Sequence, residues 1–130
     1  MNTKLMQETI TKSLDGTMAF PEIVSLLLAD GVERYHDDLV RMEKTFYMPD
    51  GRTHVEKMPI GQMAVGEAFV TSELVAAIRD SQTAGQKYPD FLRRATAAGS
   101  TDYIVYLQGR KAIYFGRKGE YHIEVFPGAK

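Results

Sequence analysis

The chain contains no cysteine. Without thiols there is no disulfide, no thiolate nucleophile, no iron–sulfur cluster and no Cys-ligated zinc. It also lacks an excess of charge of either sign. Sixteen Lys and Arg stand against seventeen Asp and Glu, a formal net charge of −1, so no electrostatic footprint for nucleic acid exists and none is expected as a partner. Residues 1–65 hold seven basic and ten acidic residues and residues 66–130 nine and seven, too slight a contrast for a basic face. Long hydrophobic runs are missing too. The longest, "IVSLLLA", falls far short of the roughly 20 residues that span a bilayer, and the start "MNTKLMQETITKSL" has no apolar signal core. The expectation is a soluble, cytoplasmic protein with no membrane partner. Catalytic signatures are absent as well. There is no G-x-S-x-G elbow, no G-x-x-x-x-G-K and no G-x-G-x-x-G, and Ser13, Ser25, Ser72, Ser81 and Ser100 fall in helix or cap text. No cofactor is called for, no catalytic residue is named, and the text points away from an enzyme.

What the chain does contain is a copy of itself. Offset by 68 residues, 20–59 aligns with 88–127 without a gap. Nine positions are identical: Pro21/Pro89, Ala29/Ala97, Gly31/Gly99, Tyr35/Tyr103, Leu39/Leu107, Gly51/Gly119, His54/His122, Glu56/Glu124 and Pro59/Pro127. Ordinary composition yields roughly two or three by chance. Phe20/Tyr88, Phe46/Tyr114, Tyr47/Phe115 and Val55/Ile123 are similar. The reading is one domain over 1–130, with repeats 1–59 and 69–127 joined by a connector at 60–68.

Each repeat spells helix–helix–strand–strand–strand. Helical text at 3–14 is stopped by Gly16, and text at 72–83, capped by Ser72, is stopped by Gly85. Pro21 and Pro89 suit a helix's first turn, and Gly31 and Gly99 suit the left-handed C′ position. Strand text follows in "ERYHDDLV" and "TDYIVYLQ", then "KTFYM" and "KAIYFG", then "THVEKM" and "YHIEVF", with turns at "PDGR" and "RKGE". The fold class is therefore α+β: a tandem duplication of an ααβββ unit, pseudo-two-fold, with antiparallel strands and helices packed on the sheet.

The stretches "FPEIVSLLLADGVERYHDDLVRMEKTFYMPDGRTHVE" and "YPDFLRRATAAGSTDYIVYLQGRKAIYFGRKGEYHIEVFPG" together resemble domain-of-unknown-function family 1398. The resemblance covers nearly the whole chain and is most specific over "KAIYFGRKGEYHIEVFPG". It implies a bacterial or prophage protein, of the kind labelled phage envelope protein, and supplies no catalytic residues.

Three clusters carry possible chemistry. In a strand, residues i and i+2 share a face, so His54 projects with Glu56 and His122 with Glu124. Two His and two carboxylates suit zinc or manganese. The simpler reading is a polar outer strand face, with Val55 and Ile123 turned inward, or a His–Glu pair that fixes the hairpin edge. Second, His36, Asp37 and Asp38 align with Ile104, Val105 and Tyr106. The apolar copy reads as a strand buried on both faces, and its polar sibling as an edge strand or a cleft lining. His36 and Asp38 share a face, so a ligand site of His36, Asp38, His54 and Glu56 is a candidate. Third, Arg110, Lys111, Arg117 and Lys118 bracket Tyr114 and Phe115, either as a phosphate or nucleic-acid contact or as a solvated hairpin tip. Tyr35, Tyr103, Phe46 and Tyr114 read as core.

The expected function is that of a prophage-associated, non-catalytic interaction protein, with an unidentified protein or a further copy of itself as partner. The alternative is a small-molecule or metal-binding domain with a hydrolytic role.

Overall fold

The computed structural model describes residues 1–83 and 86–127. Gly85, expected to stop a helix, lies outside the described residues. The elements run α1 (Thr3–Asp15), α2 (Phe20–Ala29), β1 (Arg34–Asp38), β2 (Glu43–Tyr47), β3 (Thr53–Lys57), α3 (Thr71–Thr83), α4 (Tyr88–Ala97), β4 (Ser100–Tyr106), β5 (Lys111–Gly116) and β6 (Tyr121–Val125). The class is α+β: four helices and one six-stranded antiparallel sheet ordered β3-β2-β1-β4-β5-β6.

Local chemistry sets the helix ends. The Asn2 side chain accepts the Leu5 N–H at 3.0 Å and caps α1. Gly16 ends it in the left-handed conformation at φ 81°, with its N–H bonded back to the last turn. Pro21 and Pro89 sit in the first turns of α2 and α4. Ser72 is not a cap: α3 already begins at Thr71, and the N–H groups of Glu73 and Leu74 both reach the Val70 carbonyl at 3.1 Å.

All four helices cover one face of the sheet. Met6 and Ile10 of α1, Ile23 and Leu27 of α2, Leu74 and Ile78 of α3, and Phe91 and Leu92 of α4 share one core with Tyr35, Phe46, Tyr103, Val105 and Tyr114 of the strands. The strands β1, β2, β4 and β5 alternate buried and half-buried positions along their length, the signature of a sheet with one open face.

Two expectations about the first strands fail here. β1 is a central strand, hydrogen-bonded to β2 on one side and β4 on the other, and not an edge. β4 is not buried on both faces, because Asp102, Ile104 and Tyr106 lie half-buried on the open side. β1 tolerates its polar text because His36 and Asp38 project to the open face, while Asp37, turned inward, meets a buried cation.

Candidate functional site

The strand registers place side chains in rows across the sheet. On the helix side one row reads Glu56, Lys44, Asp37, Tyr103, Tyr114, His122, each opposite the next on a neighbouring strand. Its centre is a buried charge pair: Asp37 is fully enclosed, Lys44 is 4% exposed, and Lys44 Nζ lies 3.6 Å from Asp37 Oδ1. The Tyr88 hydroxyl, from the first turn of α4, donates to Asp37 Oδ2 at 2.9 Å and sits 2.6 Å from the Tyr103 hydroxyl. Lys44 Nζ also lies 4.6 Å from the Tyr35 ring centroid, a cation–π contact. Phe91 stacks on Tyr88 and meets Tyr103 and Tyr114 edge-on. Asp37 Oδ1 has no hydrogen bond, so the ammonium 3.6 Å away compensates it by charge alone. Burial, then the Asp37 charge, push the phenols of Tyr35, Tyr88 and Tyr103 well above their ordinary range. The same causes, in the same order, raise the Tyr114 phenol, so all four phenols stay protonated around the aspartate. Two surface clefts lie elsewhere. One of about 240 Å³ is lined by Val40, Met63, Thr101 and Arg117 among others, and one of about 280 Å³ by Glu73, Ala76, Arg94 and Ala97.

Lys44 and Tyr88 were not candidates on sequence grounds, and Asp37 stood out only by its alignment with Val105, yet the same signal marks all three. At the offset of 68 they align with Val105, Ala112 and Phe20. Two charges of opposite sign stand in the first half and a hydroxyl in the second, each where the other half is apolar.

The His-x-Glu pairs face opposite to expectation. His54 is opposite Phe46 and His122 opposite Tyr114, both buried on the helix side, so His54, Glu56, His122 and Glu124 all turn toward the helices. Val55 and Ile123 turn outward and are 51% and 46% exposed. Polar groups are tolerated beneath the helices because β3 and β6 are the sheet edges, where His and Glu keep contact with water. The pairs are local, with His54 Nε2 3.2 Å from Glu56 Oε2 and His122 Nε2 3.0 Å from Glu124 Oε1. Arg79 of α3 also bonds Glu124.

Neither composite site assembles. β3 and β6 are five strand spacings apart, about 24 Å, so His54 and Glu56 do not join His122 and Glu124 around one ion. His36 and Asp38 lie on the open face, opposite to His54 and Glu56. Among the described residues no group of three or more His, Asp or Glu is placed to hold a metal ion. His36 pairs instead with Asp102, Nε2 to Oδ2 at 2.9 Å. That bond raises the His36 pKa above its ordinary value and lowers that of Asp102. Asp38 Oδ1 accepts the N–H groups of Val40 and Arg41, shaping the β1–β2 turn.

The four cations around Tyr114 and Phe115 are not one hairpin tip. Arg110 and Lys111 lie at one end of β5 and Arg117 and Lys118 beyond the other, about 20 Å apart. Tyr114 is buried as expected, with Tyr35, Tyr103 and Phe46. Arg117 donates to the Val65 carbonyl at 2.8 Å and so holds the connector.

The open face is divided. Over β1–β3 it carries Arg34, His36, Glu43 and Lys57, engaged in ion pairs, and Asp38, which holds the β1–β2 turn, with Arg34 also over the Tyr47 ring. Over β4–β6 it is mainly apolar: Ile104, Ile113 and Ile123 stand opposite one another in a row, flanked by Phe115, Tyr121 and Val125, with Asp102 and Lys111 at the margins. Tyr121 is 65% exposed and Val125 49%. Among the described residues no helix is long and apolar enough to cross a membrane. No family model matches the chain, and no curated protein matches it.

Proposed function

We propose that this is a prophage-associated, non-catalytic interaction protein that engages a protein partner through the open face of its sheet. The observation that carries this reading is the aliphatic row Ile104–Ile113–Ile123 with exposed Tyr121 and Val125 beside it. The open side of an antiparallel sheet is ordinarily polar, and a contiguous apolar patch left in water marks an interaction surface. The chemistry-bearing residues support it too, since each His is spent on a local carboxylate and the buried Asp37–Lys44 pair is closed over by α4. The prophage association rests on the resemblance of "KAIYFGRKGEYHIEVFPG" noted above.

The same reading includes a tandem ααβββ duplication as the origin of the chain. Its support is the repetition of register. Tyr35 opposite Phe46 recurs as Tyr103 opposite Tyr114, and Phe46 opposite His54 recurs as Tyr114 opposite His122. Met42 and Arg110, also 68 apart, are both left-handed at φ 52° and 57°. β1 meets β4 with His36 opposite Ile104, positions again 68 apart. On that origin, the second copy's open face has become largely apolar, keeping Asp102 and Lys111, while the first kept more of its charges.

The test is an affinity capture from a lysogen or infected cell with wild-type protein and with Ile123→Asp, an exposed change. A partner retained by wild type and lost by the variant is the expected result. Identical capture profiles overturn the assignment of the open face.

A further inference from the structure

Resting on that reading of the open face, we propose that its occupant is a second copy of the same chain. The two sheets stack face to face about a two-fold axis that lies along the row Val55, Thr45, His36, Ile104, Ile113, Ile123.

The charge pattern selects both the occupant and the axis. A two-fold along that row keeps each strand over its own counterpart and exchanges its ends. Asp38 of one copy then faces Arg34 of the other, because the two flank His36 in β1. In β5, Lys111 faces Phe115 across Ile113. The Lys111 side chain has no ion-pair partner among the described residues, and an aromatic face is a favourable seat for such a cation. In β6, Tyr121 faces Val125, and the three isoleucines meet their own counterparts. No like charges meet away from the axis. The other in-plane two-fold, parallel to the strands between β1 and β4, is disfavoured. It lays Asp38 on Asp102 of the other copy, since these residues stand opposite in the register, and it sets the apolar half on the charged half.

Size agrees. Six strands at about 4.8 Å and five residues at about 3.3 Å give a footprint of roughly 29 by 17 Å, on the order of 500 Å². Accessible area exceeds a flat footprint, which places the contact at roughly 600 Å² per partner, near the lower end of specific interfaces. Sheets stacked about 10 Å apart interdigitate their facing side chains. Contacts at the low end of the size range are mostly weak and transient, so dissociation is expected at micromolar concentrations.

Sedimentation equilibrium of the full chain from about 1 to 500 µM tests the proposal, with circular dichroism confirming that each variant is folded. Wild type is expected to pass from 14.6 kDa to twice that mass across the range. Ile123→Asp, which sets two carboxylates against each other at the axis, is expected to weaken self-association at least tenfold, and Tyr121→Asp to weaken it as well. Arg34→Asp and Asp38→Arg are each expected to weaken it, and the double exchange to restore it, because each residue faces the other across the axis. A wild type monomeric throughout the range overturns the second copy. If cellular capture still depends on Ile123, only the occupant was wrong and the open face stands as an interaction surface. A dimer indifferent to Ile123→Asp and Tyr121→Asp uses another surface and overturns the proposal. Failure of the double exchange to restore association overturns the axis.

Discussion

At the scale of single residues, the informative pair is Asp37 and Lys44. A buried ion pair is weak evidence for stability, but removing one member leaves an uncompensated charge and costs about 3–5 kcal/mol. Asp37→Val and Lys44→Ala are each expected to destabilise by that order in denaturant melts. The double variant installs the residues found at the matched positions, Val105 and Ala112. It is expected to recover most of the loss, since an apolar replacement of such a pair is often neutral. Additive losses in the double variant would show that the pair is not coupled. The second pair is His36 and Asp102. The hydrogen bond to Asp102 is the main cause of the raised His36 pKa, against burial, with further support from the charges of Asp102, Asp38 and Asp37. A raised folded-state pKa means that His36 stabilises the fold fully below its unfolded value near 6.5, and that this contribution is lost as pH rises through the folded value. Asp102, whose pKa is lowered, contributes above its unfolded value and loses the contribution as pH falls through the folded one. NMR titration should place His36 above the ordinary histidine value in wild type and lower in Asp102→Asn. An unmoved midpoint would mean that the bond is not formed in solution.

At the scale of elements, the tightest constraint is the passage of the connector past the end of α4. The Gly66 N–H donates to the Thr96 carbonyl and the Val70 N–H to the Ala98 carbonyl, both at 2.8 Å. Gly99 has φ +99°, and a Cβ there would lie 2.2 Å from the Ala68 carbonyl oxygen. That backbone cannot retreat without breaking the bonds that hold it. Gly31, the corresponding glycine after α2, meets only the flexible end of Met48, at 3.7 Å. Gly99→Ala is therefore expected to cost on the order of 1–3 kcal/mol from its left-handed conformation alone, with the overlap adding to it. Gly31→Ala should cost less, because only the conformational part applies. Equal shifts in the denaturation midpoints of the two variants would remove the connector from the explanation.

At the scale of the whole molecule, everything depends on β1 meeting β4. That pairing joins two three-stranded sheets into one six-stranded sheet, and each end of the seam is closed by a leucine. Leu39 donates its N–H to the Thr101 carbonyl at 3.0 Å and Leu107 to the Glu33 carbonyl at 3.1 Å, with both side chains fully buried. Truncating either to Ala is expected to cost about 2–5 kcal/mol, as core deletions do. Their positions at opposite ends of one seam predict similar losses and one cooperative transition. Unchanged midpoints in both variants would contradict the placement of the leucines in the core, and two resolved transitions would mean that the halves unfold separately.

The sequence by itself determined the elements, because their signals are local. Prolines at the starts of α2 and α4, the left-handed glycines 16, 31, 51, 99 and 119, and aromatic strand text each act within a few residues. The core aromatics Tyr35, Phe46, Tyr103 and Tyr114 were legible for the same reason. Facing was not legible. In "THVEKM" and "YHIEVF" polar and apolar residues alternate, and a period of two does not say which set faces the helices. The tertiary structure decided it through register, because His54 and His122 stand opposite Phe46 and Tyr114. Strand order was equally hidden: polar text made β1 look like an edge, whereas the sheet places it at the centre. A central strand carries charge only where another element neutralises it. Lys44 comes from the next strand, Tyr88 from a helix 51 residues away, and Asp102 from a strand 66 residues beyond His36. Such partners are close in space and distant in sequence, so only the folded chain brings them together.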